Sequence, residues 1–187
     1  MLNEGYPAAL VENMGRQAGM EKGPLALADE LGLSMVMRYE EQAAAHYGAK
    51  YKQHPAVPAL KIMLNDPGRG GKRARAGFYE YDADGTARLW TGISEHFPVT
   101  KTDYNRLRMK DRFLFSQVIE SGWCLQEKVV TEPAGANLAS VYGWGFPRYT
   151  GGVLRYRESY GREAFFERSA ELAERYGQRF SLPKYLK

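Results

Sequence analysis

Apolar residues recur along most of the chain at intervals of three and four, and glycines and prolines cut that pattern into helix-length pieces. Pro7 suits the first turn of a helix over PAALVENMGRQA, with Gly19 just past its end. Pro24 opens a shorter helix, PLALADEL, closed by Gly32. LSMVMRYEEQAAAHY follows and stops at Gly48, and VPALKIMLND is a fourth helix, stopped by Pro67. A long helix is predicted from Thr102 to about Val130, with Leu107, Leu114, Val118 and Leu125 as its apolar positions. Pro133 starts another, capped near Gly143. Two more run along VLRYRESY and REAFFERSAELAERY, the second ending at Gly177. The one strand signal is GFYEYDADGTARLW, which alternates aromatic and polar residues around Asp84-Gly85 and reads as a hairpin. The pattern predicts an all-α chain with one small β-ribbon near its middle.

The helical pattern repeats. GMEKGPLALADELG (19–32) and GFPRYTGGVLRYRESYG (145–161) each leave a glycine at a helix end, cross a Pro/Gly turn and enter a helix that ends at another glycine. Aligning Gly23 with Gly152 pairs Leu25 with Leu154, Leu27 with Tyr156, Asp29 with Glu158 and Gly32 with Gly161. The second copy has a turn three residues longer. Upstream, LNEG at 2–5 aligns with LQEK at 125–128, so the first copy lacks the long opening helix of the second. We therefore expect two tandem helical repeats, 1–98 and 99–187, with the ribbon between them, in a chain cut from something longer.

Composition narrows the classes without choosing one. Of 187 residues, 44% are hydrophobic and 26% charged, enough to bury a core. The net charge of +4 comes from cations mostly interleaved with acids, which permits an anionic ligand without requiring a nucleic acid. Cys124 is the only cysteine, so no intrachain disulfide and no cysteine-based zinc site can form, and a reducing, cytoplasmic setting fits. No apolar run approaches the ~18 residues of a membrane span. The start, MLNEGYPAAL, has no basic region followed by an apolar stretch, so no signal peptide is expected.

The most suggestive stretch is GRGGKRARAGFYEYD, residues 68–82, where Arg69, Lys72, Arg73 and Arg75 sit among glycines. It fails as a P-loop, because Gly71-Lys72 is followed by Arg73 and no apolar strand precedes it. As an RNA-binding strand it is incomplete: Phe78, Tyr79 and Tyr81 do not have the spacing expected of stacking rings on one sheet face, and Glu80, Asp82 and Asp84 would repel phosphates. Two readings remain, a corner with solvated cations and aromatics packed on the helices, or weak contact of the four cations with an anion. Cys124 lies beside Leu125 with no histidine in a recognisable motif, and reads as core rather than nucleophile. His46, His54 and His96 lack metal-ligand spacing, so no metal site is expected. FPRYTGG reads as a tight turn into the next helix, and AELAERYGQR as a solvated helix with charge pairs four apart.

Taken in order, EGYPAALVENMGRQAGMEKGPLALADELGL, GKRARAGFYEYDADG, DRFLFSQVIESGWCLQEKVV and YGWGFPRYTGGVLRY resemble the C-terminal part of the 3-hydroxyacyl-CoA dehydrogenases. The closest kind is the multifunctional one, the alpha subunit of the fatty-acid oxidation complex, which has two tandem helical C-terminal domains. The resemblance covers essentially the whole chain. It implies an all-α fold of the class related to the C-terminal region of 6-phosphogluconate dehydrogenase. It implies that the 68–82 stretch ends the first repeat as a turn feeding the ribbon, leaving weak contact with CoA or cofactor phosphates as the alternative role of Arg69, Lys72, Arg73 and Arg75. The family's NAD site needs a strand, a Gly-rich turn and a helix, and no G-x-G-x-x-G follows a strand signal here. The family's catalytic His and Glu lie in that dinucleotide-binding domain. An Asn-Arg pair of the family falls before residue 1, and its counterpart in the second repeat reads Asp111-Arg112.

The resemblance thus implies a chain with no catalytic residue and no bound NAD of its own. It would serve as cleft wall and packing surface for an NAD-dependent enzyme acting on acyl-CoA, with the dinucleotide-binding domain and further copies of itself as partners. Nucleic acid and membrane are not expected as partners. The rival readings are a free-standing helical interaction module and a basic nucleic-acid binder using the 69–75 cluster.

Overall fold

The computed structural model describes residues 1–187, which form helices joined by short turns and a single two-stranded sheet. In chain order these are α1 (Ala8–Gln17), α2 (Pro24–Leu31), α3 (Leu33–Tyr47), α4 (Val57–Asn65), β1 (Tyr79–Tyr81), β2 (Ala87–Leu89), α5 (Ile93–His96), α6 (Arg106–Gln126), α7 (Pro133–Gly143), α8 (Val153–Tyr160) and α9 (Arg162–Tyr176). No helix is long and apolar enough to cross a membrane. The chain divides into two compact units, one of Met1–Met14 and Lys22–Tyr104, the other of Gly15–Glu21 and Asn105–Lys187.

In the first unit, α2 starts at Pro24, whose missing N–H is no loss at the first helical position. A single residue, Gly32 at φ 86°, separates α2 from α3 and turns the corner that brings Leu33 fully inside. α4 buries Val57, Leu60 and Met63, three residues apart, on one stripe. Val11, Met14, Leu25, Phe78 and Phe97 complete this core. The ribbon is antiparallel, with Tyr79 opposite Leu89, Glu80 opposite Arg88 and Tyr81 opposite Ala87. Its turn holds Gly85 at φ 88°, and the Asp84 carboxylate accepts the Thr86 N–H at 2.9 Å.

In the second unit α6 begins at Arg106, later than the predicted Thr102. Asn105 is extended and its side chain accepts the Arg108 N–H at 2.8 Å, a side-chain cap that fixes the start. The predicted apolar stripe holds at Leu114, Val118 and Leu125 but not at Leu107, which is 59% exposed in the first turn. The core of this unit is aromatic: Phe115 stacks on Phe165 with centroids 4.0 Å apart, and Phe146 and Phe180 are buried in the same cluster. The 170–179 run is solvated on one face only, because Leu172 is fully buried while Glu171 and Arg175 form the expected exposed pair at 3.8 Å. FPRYTGG makes the expected tight turn, with Gly151 at φ 76° and Gly152 at φ 112°.

One sequence of lengths occurs in both units. Each has an 8-residue helix, a glycine at positive φ, a 15-residue helix and a second glycine at positive φ. Gly32 and Gly48 take these places in the first unit, Gly161 and Gly177 in the second.

Candidate functional site

In the glycine-cation loop of the first unit, Lys72–Ala74 form one 3-10 turn, with Gly71 before it at φ 110°. A side chain on Gly71 would lie 2.5 Å from the carbonyl oxygen of Asp29, and one on Gly77 would lie 2.1 Å from the Asp29 carboxylate. These glycines are there because the loop lies directly against the end of α2. The cations divide into two kinds. Lys72, Arg73 and Arg75 are exposed, as the corner reading expected. Arg69 is not solvated, which corrects that reading for this residue. Its side chain is 11% exposed, its guanidinium carbon sits 3.3 Å from the centre of the Trp90 ring, and it donates to the Gly77 carbonyl at 3.0 Å. It also pairs with Asp66 at 3.4 Å and Glu80 at 3.5 Å. With its planar face and its fork of donors both engaged, Arg69 braces the loop from below.

The aromatics after the loop are held by two buried acids that nothing in the sequence pattern singled out. Asp29 on α2 accepts the N–H groups of Phe78 and Tyr79 at 2.9 and 2.8 Å and the Tyr81 hydroxyl at 3.0 Å. Glu12 on α1 accepts the Leu25 and Ala26 N–H groups, at the start of α2, at 2.9 and 3.3 Å, and the Tyr79 hydroxyl at 2.9 Å. Tyr79 and Tyr81 do share one face of the ribbon, contrary to the expected spacing, but Tyr79 is buried and both hydroxyls are engaged by the acids. Burial pushes the Asp29 carboxyl above its ordinary range, against the lowering effect of the two backbone donors. The same burial, with the Asp29 charge beside it, pushes the Tyr81 hydroxyl up. All four carboxylate oxygens have donors, so the pair is a clasp between helices and ribbon.

The second unit uses an uncharged version of the Glu12 contact. The Asn137 side-chain oxygen accepts the N–H groups of Leu154 and Arg155 at 2.9 and 3.3 Å. Ser140 accepts that of Val153 at 3.2 Å, a donor that Pro24 does not have in the first unit. Gly152 lies against Asn137 as Gly23 lies against Glu12; a side chain there would come within 2.6 and 2.1 Å respectively. Asp111, 2% exposed, is held by Arg168 at 2.7 Å, and the Arg112 guanidinium lies 3.9 Å from the centre of the Tyr176 ring. Burial raises the Asp111 pKa despite Arg168. The pair at 111–112 is thus engaged within its own unit.

The histidines are scattered. His46 packs edge-on against Tyr47, His54 accepts the Ala56 N–H, and His96 lies beside Trp90 and 3.7 Å from Asp66. Cys124 is half-buried, and burial with Glu120 and Glu127 nearby pushes its thiol up, away from the thiolate a nucleophile needs.

A cavity of about 510 Å³ opens in the second unit where the start of α7, α8 and the C-terminal turn meet. Pro133, Asn137 and Leu154 form part of its wall, and Arg155, Arg157, Arg162 and Lys187 bring charge to it, against Glu158. No motif marks it, because its cations come from separated segments.

Residues 1–81 match the family described as 3-hydroxyacyl-CoA dehydrogenase, C-terminal domain. The chain is similar to the fatty acid oxidation complex subunit alpha of Vibrio vulnificus, 27% identical over 168 residues that make up 87% of this chain and 23% of that protein. It is also similar to the subunit alpha of Idiomarina loihiensis, 26% identical over 192 residues, covering 100% of this chain and 26% of that one. The chain thus spans about a quarter of the length of these curated relatives. Among solved structures, the dehydrogenase part of multifunctional enzyme 1 from C. elegans has the same fold, with a TM-score of 0.66 and 19% identity over all of this chain and 43% of that one. The resemblance carried by the motifs is borne out: the first part of the chain matches the 3-hydroxyacyl-CoA dehydrogenase C-terminal domain, and the whole is similar to fatty-acid oxidation alpha subunits.

Proposed function

We propose that this chain is the C-terminal portion of an NAD-dependent 3-hydroxyacyl-CoA dehydrogenase of fatty-acid β-oxidation, and that it supplies cleft wall and packing surface rather than reacting groups. The observation that carries this reading is the match of residues 1–81 to the C-terminal domain of that family, in a chain similar over its whole length to alpha subunits about four times as long. We read the stretches 1–98 and 99–187 as two tandem copies of that domain. The recurrence of the 8- and 15-residue helices and their glycines supports this.

Hydride transfer needs a held nicotinamide and a base at the substrate hydroxyl. A dinucleotide fold is built on parallel strands joined through helices, whereas the sheet here is one antiparallel pair, so these residues do not fit NAD in that manner. The cofactor belongs to a dinucleotide-binding domain of the same enzyme, which is this chain's partner, along with a further copy of itself. The acyl-CoA substrate is shared with that domain, and the compartment is the cytoplasm. Lys72, Arg73 and Arg75 remain candidates for weak contact with phosphates of CoA or cofactor.

The test is NADH formation from 3-hydroxybutyryl-CoA. The chain alone is expected to give none and to bind no NAD by calorimetry. Mixed with the dinucleotide-binding portion of an alpha subunit, it is expected to raise that portion's turnover. Turnover by the purified chain alone, or no effect on the partner portion, overturns the reading.

A further inference from the structure

We propose that the cavity beside α8 is a binding site for a phosphate-bearing small molecule. Its volume of about 510 Å³ lies within the range of small-molecule pockets. Its lining carries four cationic side chains, Arg155, Arg157, Arg162 and Lys187, and one acidic one, Glu158. Glu158 is occupied by Arg155 at 3.0 Å, and a terminal carboxylate on Lys187 would still leave cations in excess. Arg157 donates to the Leu186 carbonyl through one terminal nitrogen, while its Nε is buried without a hydrogen-bond partner. A buried charged donor left unpaired is costly, and natural folds tolerate it rarely, at sites with a use for it.

Burial of Arg157 and, after it, the charge of Arg162 both act against the Arg157 cation, a cost that a bound anion relieves. A guanidinium fork with a second guanidinium beside it suits the oxygens of a phosphate ester or diphosphate better than a point charge does. The start of α8 is not among the donors, since Asn137 and Ser140 already occupy its first N–H groups. Pro133, Leu154 and the half-exposed ring of Tyr185 give the rest of such a ligand an apolar wall.

The test is calorimetric titration of the chain with pyrophosphate and with CoA, in wild type, Arg162→Gln and Arg157→Lys. Arg162 is exposed, so its variant keeps the fold; Arg157→Lys keeps the charge but not the fork, and its melting curve checks folding. Binding is expected to weaken about tenfold in each variant, the effect of one lost charge-assisted contact. CoA binding well above pyrophosphate identifies a nucleotide-type ligand, and equal binding identifies the diphosphate itself; both support the site. No saturable binding of either, or binding unchanged in both variants, overturns it. Neither outcome bears on NADH formation, so the proposed dehydrogenase role is judged separately.

Discussion

Arg69 lies face to face with Trp90, its guanidinium carbon 3.3 Å from the ring centre, while the three cations that follow it in the same loop are exposed. A single stretch of sequence therefore contains one structural arginine and three solvated cations. Arg69→Ser is expected to cost about 1–3 kcal/mol, from the lost stack and the hydrogen bond to Gly77. Replacing Lys72, Arg73 and Arg75 together by Ser is expected to change stability by roughly 0.5 kcal/mol or less for each. Urea unfolding of the two variants makes the comparison, and equal effects would refute the distinction.

Asp29→Asn keeps the size of the clasp but replaces an acceptor oxygen by a donor nitrogen facing Phe78 or Tyr79. A loss of about 1–3 kcal/mol is expected at neutral pH. The pH dependence has a definite sign. Burial raises the Asp29 pKa above its ordinary 3.8, so between that value and the raised one the native state holds a proton that the unfolded chain releases. The stability this group contributes is complete below 3.8 and is lost as pH rises through the raised value. The advantage of wild type over Asp29→Asn should therefore shrink as pH increases across that window. Melts at a series of pH values test it; an advantage that grows with pH contradicts the assignment.

Arg168→Met strands the Asp111 carboxylate, 2% exposed, without its partner. Such a loss typically costs about 3–5 kcal/mol. The double change Arg168→Met with Asp111→Leu should recover much of it, because two apolar groups leave no uncompensated charge. A double variant less stable than Arg168→Met alone would show that the pair does more than neutralise itself.

Gly23→Ala tests the close approach of α1 to the start of α2. The backbone there, at φ −66°, suits any residue, so only the contact with Glu12 at 2.1 Å opposes the methyl group. We expect a loss of about 1–3 kcal/mol, as for other overpacked sites. Gly68→Ala has the opposite character: its surroundings are open and its φ of 85° alone resists the change. Thermal melts should find Gly23→Ala more destabilised when Glu12 is intact than when it is replaced by Ala.

How far the sequence could be read followed from what each residue's signal depends on. Helix limits were legible wherever a glycine ended them, as at Leu33–Tyr47 and Arg162–Tyr176, because positive φ is a local property. The start of α6 was missed because Asn105 acts through its side chain, and Leu107 because position in the first turn decides its exposure. Glu12 and Asp29 could not be found by pattern: an acid among apolar helix positions reads as a solvent-facing residue until its donors arrive, for Glu12 from the start of α2 and from Tyr79, 67 residues on, and for Asp29 from Phe78 and Tyr79, 49 and 50 residues on. Arg69 looked like its neighbours for the same reason, since Trp90 is remote in sequence. The cavity near Arg157 depends on three separated segments, and no local signal carries such a meeting.

The one-glycine corners at Gly32 and Gly161 make the helix pairs intolerant of length change. Adding one residue at either corner would turn the following helix by about 100° about its axis and swing its buried face out to water. The stretches before α2 and α8, residues 18–23 and 144–152, differ in length by three residues and still deliver the chain to a glycine packed on the preceding helix. Insertions and deletions in related chains should accordingly gather in those stretches and spare the corners, so that α2 with α3, and α8 with α9, behave as indivisible cassettes. A chimera that exchanges residues 24–47 for 153–176 keeps both reading lengths and is the natural way to ask whether the two are interchangeable parts.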